Sequence, residues 1–316
     1  MQVFTTIING FPGTVAQGLI WGLMAIGVFI TYKLLDIADL SVDGSICTGG
    51  AVCAVLIVAG VPAWVAVICA FFAGALCGLV TGLFLTVMGI PPILSGILTQ
   101  LMLWSVNLKI LGASNLSVSA RQYSVLLSAL NPPIAILVIA AFAVAVALLL
   151  YWFFGTQIGR GIRATGCNQK MSRAQGINTE LNKVIGLMLS NAIVALSGAL
   201  LTQYQGNADI NMGRGAIVIG LAAVIIGNAV LSKFSGNFLV KLLSVFLGGI
   251  IYYVVYSVVI ALGLDTDLLK MLSAIVVAIF LAVPYWKKKF SKPKLGGAAA
   301  LLEPTVSDGE KGGSDA

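Results

Sequence analysis

Pro133-Ile-Ala-Ile-Leu-Val-Ile-Ala-Ala-Phe-Ala-Val-Ala-Val-Ala-Leu-Leu-Leu-Tyr-Trp-Phe-Phe154 carries no charged side chain. At 1.5 Å per residue, a helix of this length crosses a hydrocarbon core of roughly 30 Å. Directly after it, Gly155 to Lys183 brings Arg160, Arg163, Lys170, Arg173 and Lys183 against a single acidic residue, Glu180. An uncharged run stopped by a basic segment reads as a membrane span that ends on the cytoplasmic side. The pattern recurs along the chain. Apolar runs at about 12–32, 44–60, 63–88, 91–110, 133–154, 183–203, 216–231, 238–262 and 268–286 predict nine transmembrane helices. The run at 216–231 is short and holds Gly220 and Gly227, so it is expected to be broken or enclosed by the bundle. The fold class is an all-α integral membrane protein. Its membrane domain spans 1–290 with a long loop at about 155–182. A tail over 291–316, rich in Gly, Ala, Ser and charge, reads as disordered.

Composition agrees. The chain has 316 residues, 59% of them hydrophobic, with a mean hydropathy of +1.04. Only 9% are charged, against about 25% in soluble domains, which is too little polar surface to cover a soluble core. Long unbroken apolar runs exclude an outer-membrane barrel, whose strands alternate. The absence of histidine excludes a His-based metal site, base or triad. Cys47, Cys53, Cys69, Cys77 and Cys167 form no CxxC pair and read as small apolar packers. Met1 to Gly10 has no positive charge and does not read as a signal peptide. The net charge of +7 sits in loops and tail, so it reports topology and not nucleic-acid binding.

Charge placement orients the chain. The Gly155–Lys183 segment and the cluster Lys287, Lys288, Lys289, Lys292 and Lys294 are both expected to be cytoplasmic, and four predicted spans separate them, as that requires. Walking outward puts Lys33, Lys233 and Lys241 inside too; of 18 Lys and Arg, only Lys109, Arg121, Arg214 and Lys270 fall outside. The N-terminus is then outside and the C-terminus cytoplasmic. Tyr285 and Trp286 stand before the lysines as interface anchors do.

Loops longer than about 12–15 residues are usually functional or disordered, and the 155–182 loop is not low in complexity. Asn168 is a good N-cap, Gln169 to Gln175 suffices for two helical turns, and Gly176 suits the left-handed position after a helix. Ile177 then folds back on it. The expectation is a compact basic helix held under the membrane between two glycine hinges. Its bland alternative is a solvated loop that satisfies the positive-inside rule.

The loop resembles that of ABC-importer permeases of the branched-chain amino acid and ribose class. There an R-A-x-G-x-N-x-x-x-A-x-x-x-G-I pattern lies between two spans and seats in a groove of the ATPase. This sequence has it as Arg163, Ala164, Gly166, Asn168, Ala174 (displaced within the helix) and Gly176-Ile177. Ala38-Asp-Leu-Ser-Val-Asp-Gly-Ser45 is similar to that family's segment after an early span, and Gly220-Leu-Ala-Ala-Val-Ile-Ile-Gly227 to its late glycine-spaced span. Tyr32, the Asp39–Ser45 run, Gly89-Ile-Pro-Pro-Ile93 and Gln203-Tyr-Gln-Gly206 are closer still to the short permeases labelled as tryptophan or tyrosine transporters. Ten-span members start with an extra N-terminal helix, which this sequence lacks.

The resemblance implies a permease subunit in the bacterial inner membrane that imports a small solute, an amino acid or similar molecule. The implied partners are cytoplasmic ABC ATPase subunits, a second permease copy, an extracytoplasmic binding protein and the lipid bilayer. Docking falls to Arg160, Arg163, Gly166, Asn168, Arg173, Ala174, Gly176 and Ile177. No Gly-x-x-x-x-Gly-Lys-Ser/Thr occurs, so no cofactor is expected on this chain, and ATP and Mg belong to the partner ATPase. The competing readings are a secondary transporter or channel working without an ATPase, and a membrane scaffold. Coupled carriers place acidic residues at mid-membrane depth. Asp36, Asp39, Asp43, Asp209, Asp265 and Asp267 map to span ends or loops, unless a broken helix brings Asp39 or Asp43 inward. No nucleophile or acid–base constellation points to an enzyme.

In-span polar residues are few: Gln17, Thr81, Thr99, Gln100, Asn107, Ser190, Asn191, Ser197, Gln203 and Asn228. Most such residues bond between helices. The expected path residues lie near irregular backbone or on the span leaving the loop: Ser41, Asp43, Ser45, Ser190, Asn191 and Gln203. Gly74, Gly78 and Gly82 share one helix face and are expected to pack closely.

Overall fold

The computed structural model describes residues 2–231 and 237–261, with six further positions between 271 and 282. In chain order the helices are α1 (Gln2–Phe29), α2 (Val42–Val58), α3 (Ala63–Thr86), α4 (Pro92–Leu111), α5 (Pro132–Gly155), α6 (Gln157–Cys167), α7 (Gln169–Ala174), α8 (Thr179–Gln205), α9 (Ala216–Val230) and α10 (Phe238–Ala261). Strands β1 (Asn115–Ser117) and β2 (Asn207–Asp209) pair antiparallel, Leu116 opposite Ala208. This ribbon is the one departure from an all-helical fold among the described residues, and it ties the α4–α5 connection to the α8–α9 connection.

Six of the described helices are long and apolar enough to span a membrane: α1 with its π-helical extension Ile30–Leu34, then α3, α4, α5, α8 and α10. The runs read at 44–60 and 216–231 form the shorter helices α2 and α9. The ninth run, the basic cluster after it and the tail lie almost wholly outside the described residues.

α1 and α8 form the centre. Their most apolar windows are 78% buried, against 28% for α4 and α5 at the periphery. They run antiparallel: Ser197 Oγ donates to Ile20 O (2.8 Å) and Ser190 Oγ to Gly27 O (2.7 Å). α3 packs against α8 through the expected glycine face. A Cβ on Gly74 or Gly78 would run into α8 backbone at Asn191 or Leu187. Close backbone approach through small residues is how helices associate where lipid is as apolar as the side chains.

Two crossings are not fully helical. After the π-turn at Ile30–Leu34 the chain reverses, with Asp36 in the left-handed region at φ 56°. Residues 35–41 then climb irregularly along α8. Leu35 meets Gly186, Asp39 meets Asn191 midway along α8, and Ile46 meets Gly198. Only from Val42 is this crossing helical. The second crossing leaves α8 through Gly206 (φ 75°), forms β2, and turns back beside α2 over 210–215 before α9 begins. Irregular backbone persists at membrane depth only when protein encloses it and satisfies its polar groups. Here Asp39 and Ser41 on the first crossing and Ile210 and Gly213 on the second are buried, and these enclosed positions decide where the functional side chains sit.

Candidate functional site

Asp43 joins the two crossings. It lies in the first turn of α2, and its carboxylate reaches the start of α9, accepting from Gly215 N (3.0 Å) and Ile217 N (2.9 Å). Gly215 is the N-cap of α9 at φ 86° and has no side chain with which to cap. Asp43 supplies that cap from another helix, where the unpaired N–H groups and partial positive charge of a helix start favour an anion. Beside it, Gly213 N donates to Cys47 Sγ (3.2 Å) and Cys47 donates to Ile210 O (3.3 Å). Gly213 is required for this approach, because a Cβ there would strike the Asp43 carbonyl.

One layer away, Asp39 braces the first crossing. It is 3% exposed. Its Oδ1 accepts from Ser41 N (2.9 Å) and Ser41 Oγ (2.5 Å), and its Oδ2 from Asn191 Nδ2 (2.8 Å). Asp39 is thereby buried against the middle of α8 from the loop before α2, while Asp43 stands in the first turn of α2. Asp265 and Asp267 lie outside the described residues.

Among the six expected path residues, Asp43 alone borders a described cavity. Ser41, Ser45, Ser190, Asn191 and Gln203 are at most 1% exposed. Ser41 and Asn191 hold Asp39, and Ser190 holds α1. Gln203 accepts from Leu126 N (2.9 Å) and donates to Cys53 Sγ (3.3 Å). The Asp43 cavity measures about 340 Å³ and is lined by Gln100, Trp104 and Asn107 of α4, Gly44 and Cys47 of α2, and Arg214. Gln100 and Asn107 were visible as in-span polar residues. Trp104 shares their helix face at a spacing of four and three, and that spacing was the available signal. Arg214, assigned to an outer loop by charge counting, is exposed in the turn at 210–215 that precedes α9.

The docking segment forms largely as read. Asn168 caps α7, accepting from Met171 N (3.1 Å). Gly176 is left-handed at φ 79°, with Gly176 N donating to Arg173 O and Ile177 N to Ser172 O, which is a Schellman closure. Lys170, Met171, Ala174, Gln175 and Gly176 are exposed. Arg173 ties α7 to α8 through Thr179 Oγ1 (2.8 Å) and, more loosely, through exposed Glu180 (3.4 Å). The difference is α6. Gly159, Gly161 and Gly166 are not hinges but close-contact positions within a helix. Gly166 packs on Leu34 O, Gly161 on Asn182, and Asn182 Nδ2 donates to Thr165 Oγ1 (3.2 Å). Arg160 is exposed, and the Arg163 guanidinium lies 5.3 Å from the Phe238 ring centroid, turned toward α10.

Comparison with known proteins settles the family. The model of the branched-chain amino acid transport system permease component matches residues 12–283. The chain belongs to this family. It is a permease subunit of an ABC-type import system and a multi-pass protein of the bacterial cell membrane. It is 38% identical to the tyrosine transport system permease protein of Clostridioides difficile (strain R20291), over 87% of this chain and 91% of that one. The D-allose permease AlsC of Escherichia coli K12 is 28% identical over 77% of this chain and 73% of its own length. The ribose import permease RbsC of the same strain is 26% identical over 73% and 72%. No solved structure matches. Systems of this kind pair the permease with ATPase and binding-protein partners.

Proposed function

We infer that this permease carries an amino acid with an aromatic side chain, and that its route passes the cavity beside Asp43. The observation that carries this reading is the lining itself. A carboxylate, a guanidinium, two amides and an indole meet in one cavity of about 340 Å³, a volume within the range of small-molecule sites. The name of the C. difficile relative points the same way.

The rest of the assembly follows. Nine spans with the N-terminus outside keep α6 and α7 cytoplasmic, and the antiparallel run of α1 and α8 fits that sense. The exposed face of α7, with Met171 and Ala174 ringed by Lys170, Arg173 and Arg160, offers an apolar centre with a cationic rim to an ATPase groove. Gly166, packed closely on Leu34 O, supports that surface from behind. A two-fold pair of permeases would enclose one route between them. This chain then needs no cofactor of its own, and ATP and Mg act on the partner ATPase.

The test is reconstitution. The permease, its ATPase and its binding protein in liposomes should import L-tyrosine or L-tryptophan only with internal ATP, and should ignore D-ribose. Import of ribose but not of either amino acid would overturn the substrate reading. Uptake by the permease alone without ATP would favour a self-sufficient carrier.

A further inference from the structure

The cavity beside Asp43 holds more chemistry than passage needs. Asn107 is 1% exposed and lines it. Its Nδ2 donates to Gly44 O (3.2 Å), which fixes the side chain, while its Oδ1 has no hydrogen-bond partner. A buried acceptor left open costs about 1–3 kcal/mol, so such an atom calls for a donor from a ligand or from water. Arg214 lines the same cavity from the second crossing. Its side chain makes no hydrogen bond or ion pair with the described residues, although it is anchored at a sharp turn by its own N–H to Asn211 O (3.1 Å). Arg214 is exposed in the turn that precedes α9, so its guanidinium is free to meet a ligand in the cavity it lines. Asp43 does not neutralise it, because its two oxygens are turned to the α9 N–H groups. Trp104, 46% exposed, walls the opposite side from α4.

These groups are the complement of one ligand class. Arg214 presents a fork for a carboxylate. Asn107 Oδ1, with the Asp43 charge behind it, accepts from an ammonium. Trp104 offers a ring face for an aromatic side chain. We propose that this cavity is a low-affinity substrate subsite of the permease that reads the free α-carboxylate and α-ammonium groups of an aromatic amino acid. The subsite rests on the substrate reading above. It adds that selection is repeated within the membrane after the binding protein has released its load. Free ends would also separate single amino acids from peptides, whose carboxylate and ammonium lie too far apart to meet both groups.

Radiolabelled L-tyrosine, tyramine (no carboxylate) and 3-(4-hydroxyphenyl)propionate (no ammonium) serve as probes. They are titrated against the detergent-purified permease–ATPase complex without binding protein. The intact complex should bind tyrosine at least tenfold more tightly than either analogue. Arg214→Gln should lower tyrosine affinity about tenfold, to the level of tyramine, and leave tyramine unchanged. Asn107→Leu should do the same for the ammonium arm, bringing tyrosine down to 3-(4-hydroxyphenyl)propionate. Arg214→Lys keeps the charge without the fork and should fall between. Each variant's ATPase rate and unfolding midpoint verify that the complex is intact. If the liposomes import tyrosine but Arg214→Gln leaves the tyrosine-to-tyramine ratio unchanged, the subsite is wrong and the substrate reading survives. If the intact complex neither binds nor imports either aromatic amino acid, both fall together.

Discussion

Asn191→Leu tests whether the first crossing is held by the Asp39 contacts. Leu nearly matches Asn in size, so the change removes polar contacts without opening much of a cavity. Asn191 Nδ2 is the donor to Asp39 Oδ2, at 2.8 Å, while Ser41 serves Oδ1. With both residues fully enclosed, no water replaces the lost bond, and Oδ2 is left open. Hydrogen bonds to ionised groups are worth about 1.5–3 kcal/mol, and an orphaned buried acceptor costs a similar amount, so a loss of roughly 2–3 kcal/mol is expected. Asp39→Leu should cost a comparable amount, because it strands the Ser41 N–H, although Ser41 Oγ still reaches Asn191 Oδ1 at 3.3 Å. The double variant isolates the pair. With both partners apolar, neither strands the other, and the combined loss should fall short of the sum by about 1–2 kcal/mol. Stability is read from unfolding in detergent micelles with a rising fraction of sodium dodecyl sulfate, on the purified complex. Losses that add within about 0.5 kcal/mol would show that the bond holds nothing, and the account of how this crossing is braced would fail.

Three further outcomes are expected. Gly166→Ala should destabilise by about 1–3 kcal/mol, since its Cβ enters the space of the Leu34 carbonyl, whereas Gly155→Ala, with nothing within 4 Å, should be neutral or slightly stabilising in the same assay. Ala174→Trp should leave the permease in the membrane but abolish ATPase co-purification and substrate-stimulated hydrolysis; a fully active complex would mean that α7 is not the docking surface. In a cysteine-free background, a cysteine at Asn115 should react with an impermeant maleimide in intact cells and one at Arg173 only after permeabilisation, and the reverse pattern would invert the topology.

The legible features were those whose signal is local. Long uncharged runs gave the spans, and Asn168 and Gly176 bracketed α7 because a cap and a left-handed turn are set by single residues. The every-fourth glycines of α3 announced their packing face. α6 was hidden because Gly159, Gly161 and Gly166 count against helix formation in isolation. Its Thr156 cap and its Ile158–Ile162–Thr165 spacing were present but outweighed, and only the contact of Gly166 with Leu34 shows what the glycines are for. The ribbon of β1 and β2 joins segments far apart in sequence, with nothing in three residues to announce it. The path residues divided for the same reason. Ser190 and Asn191 looked available, but their partners at Gly27 and Asp39 are remote in sequence.

The two crossings explain why such costly geometry is retained. The first crossing is irregular before Val42 and the second over 210–215, and the N-termini of α2 and α9 are brought together at Asp43. Two half-helices pointed at one carboxylate place charge, glycine and open backbone where continuous helices would leave only apolar side chains. Every such group must then be satisfied, and α8 does much of that. Its first turns bond α6 and α7 through Asn182 and Thr179, its middle holds Asp39 through Asn191, and its C-terminal end grips Leu126 through Gln203. The chain continues from that end directly into β2 and Arg214. A displacement of α7 would therefore reach one helix that touches both crossings. Coupling across a membrane needs such a packed element with two arrangements available to it.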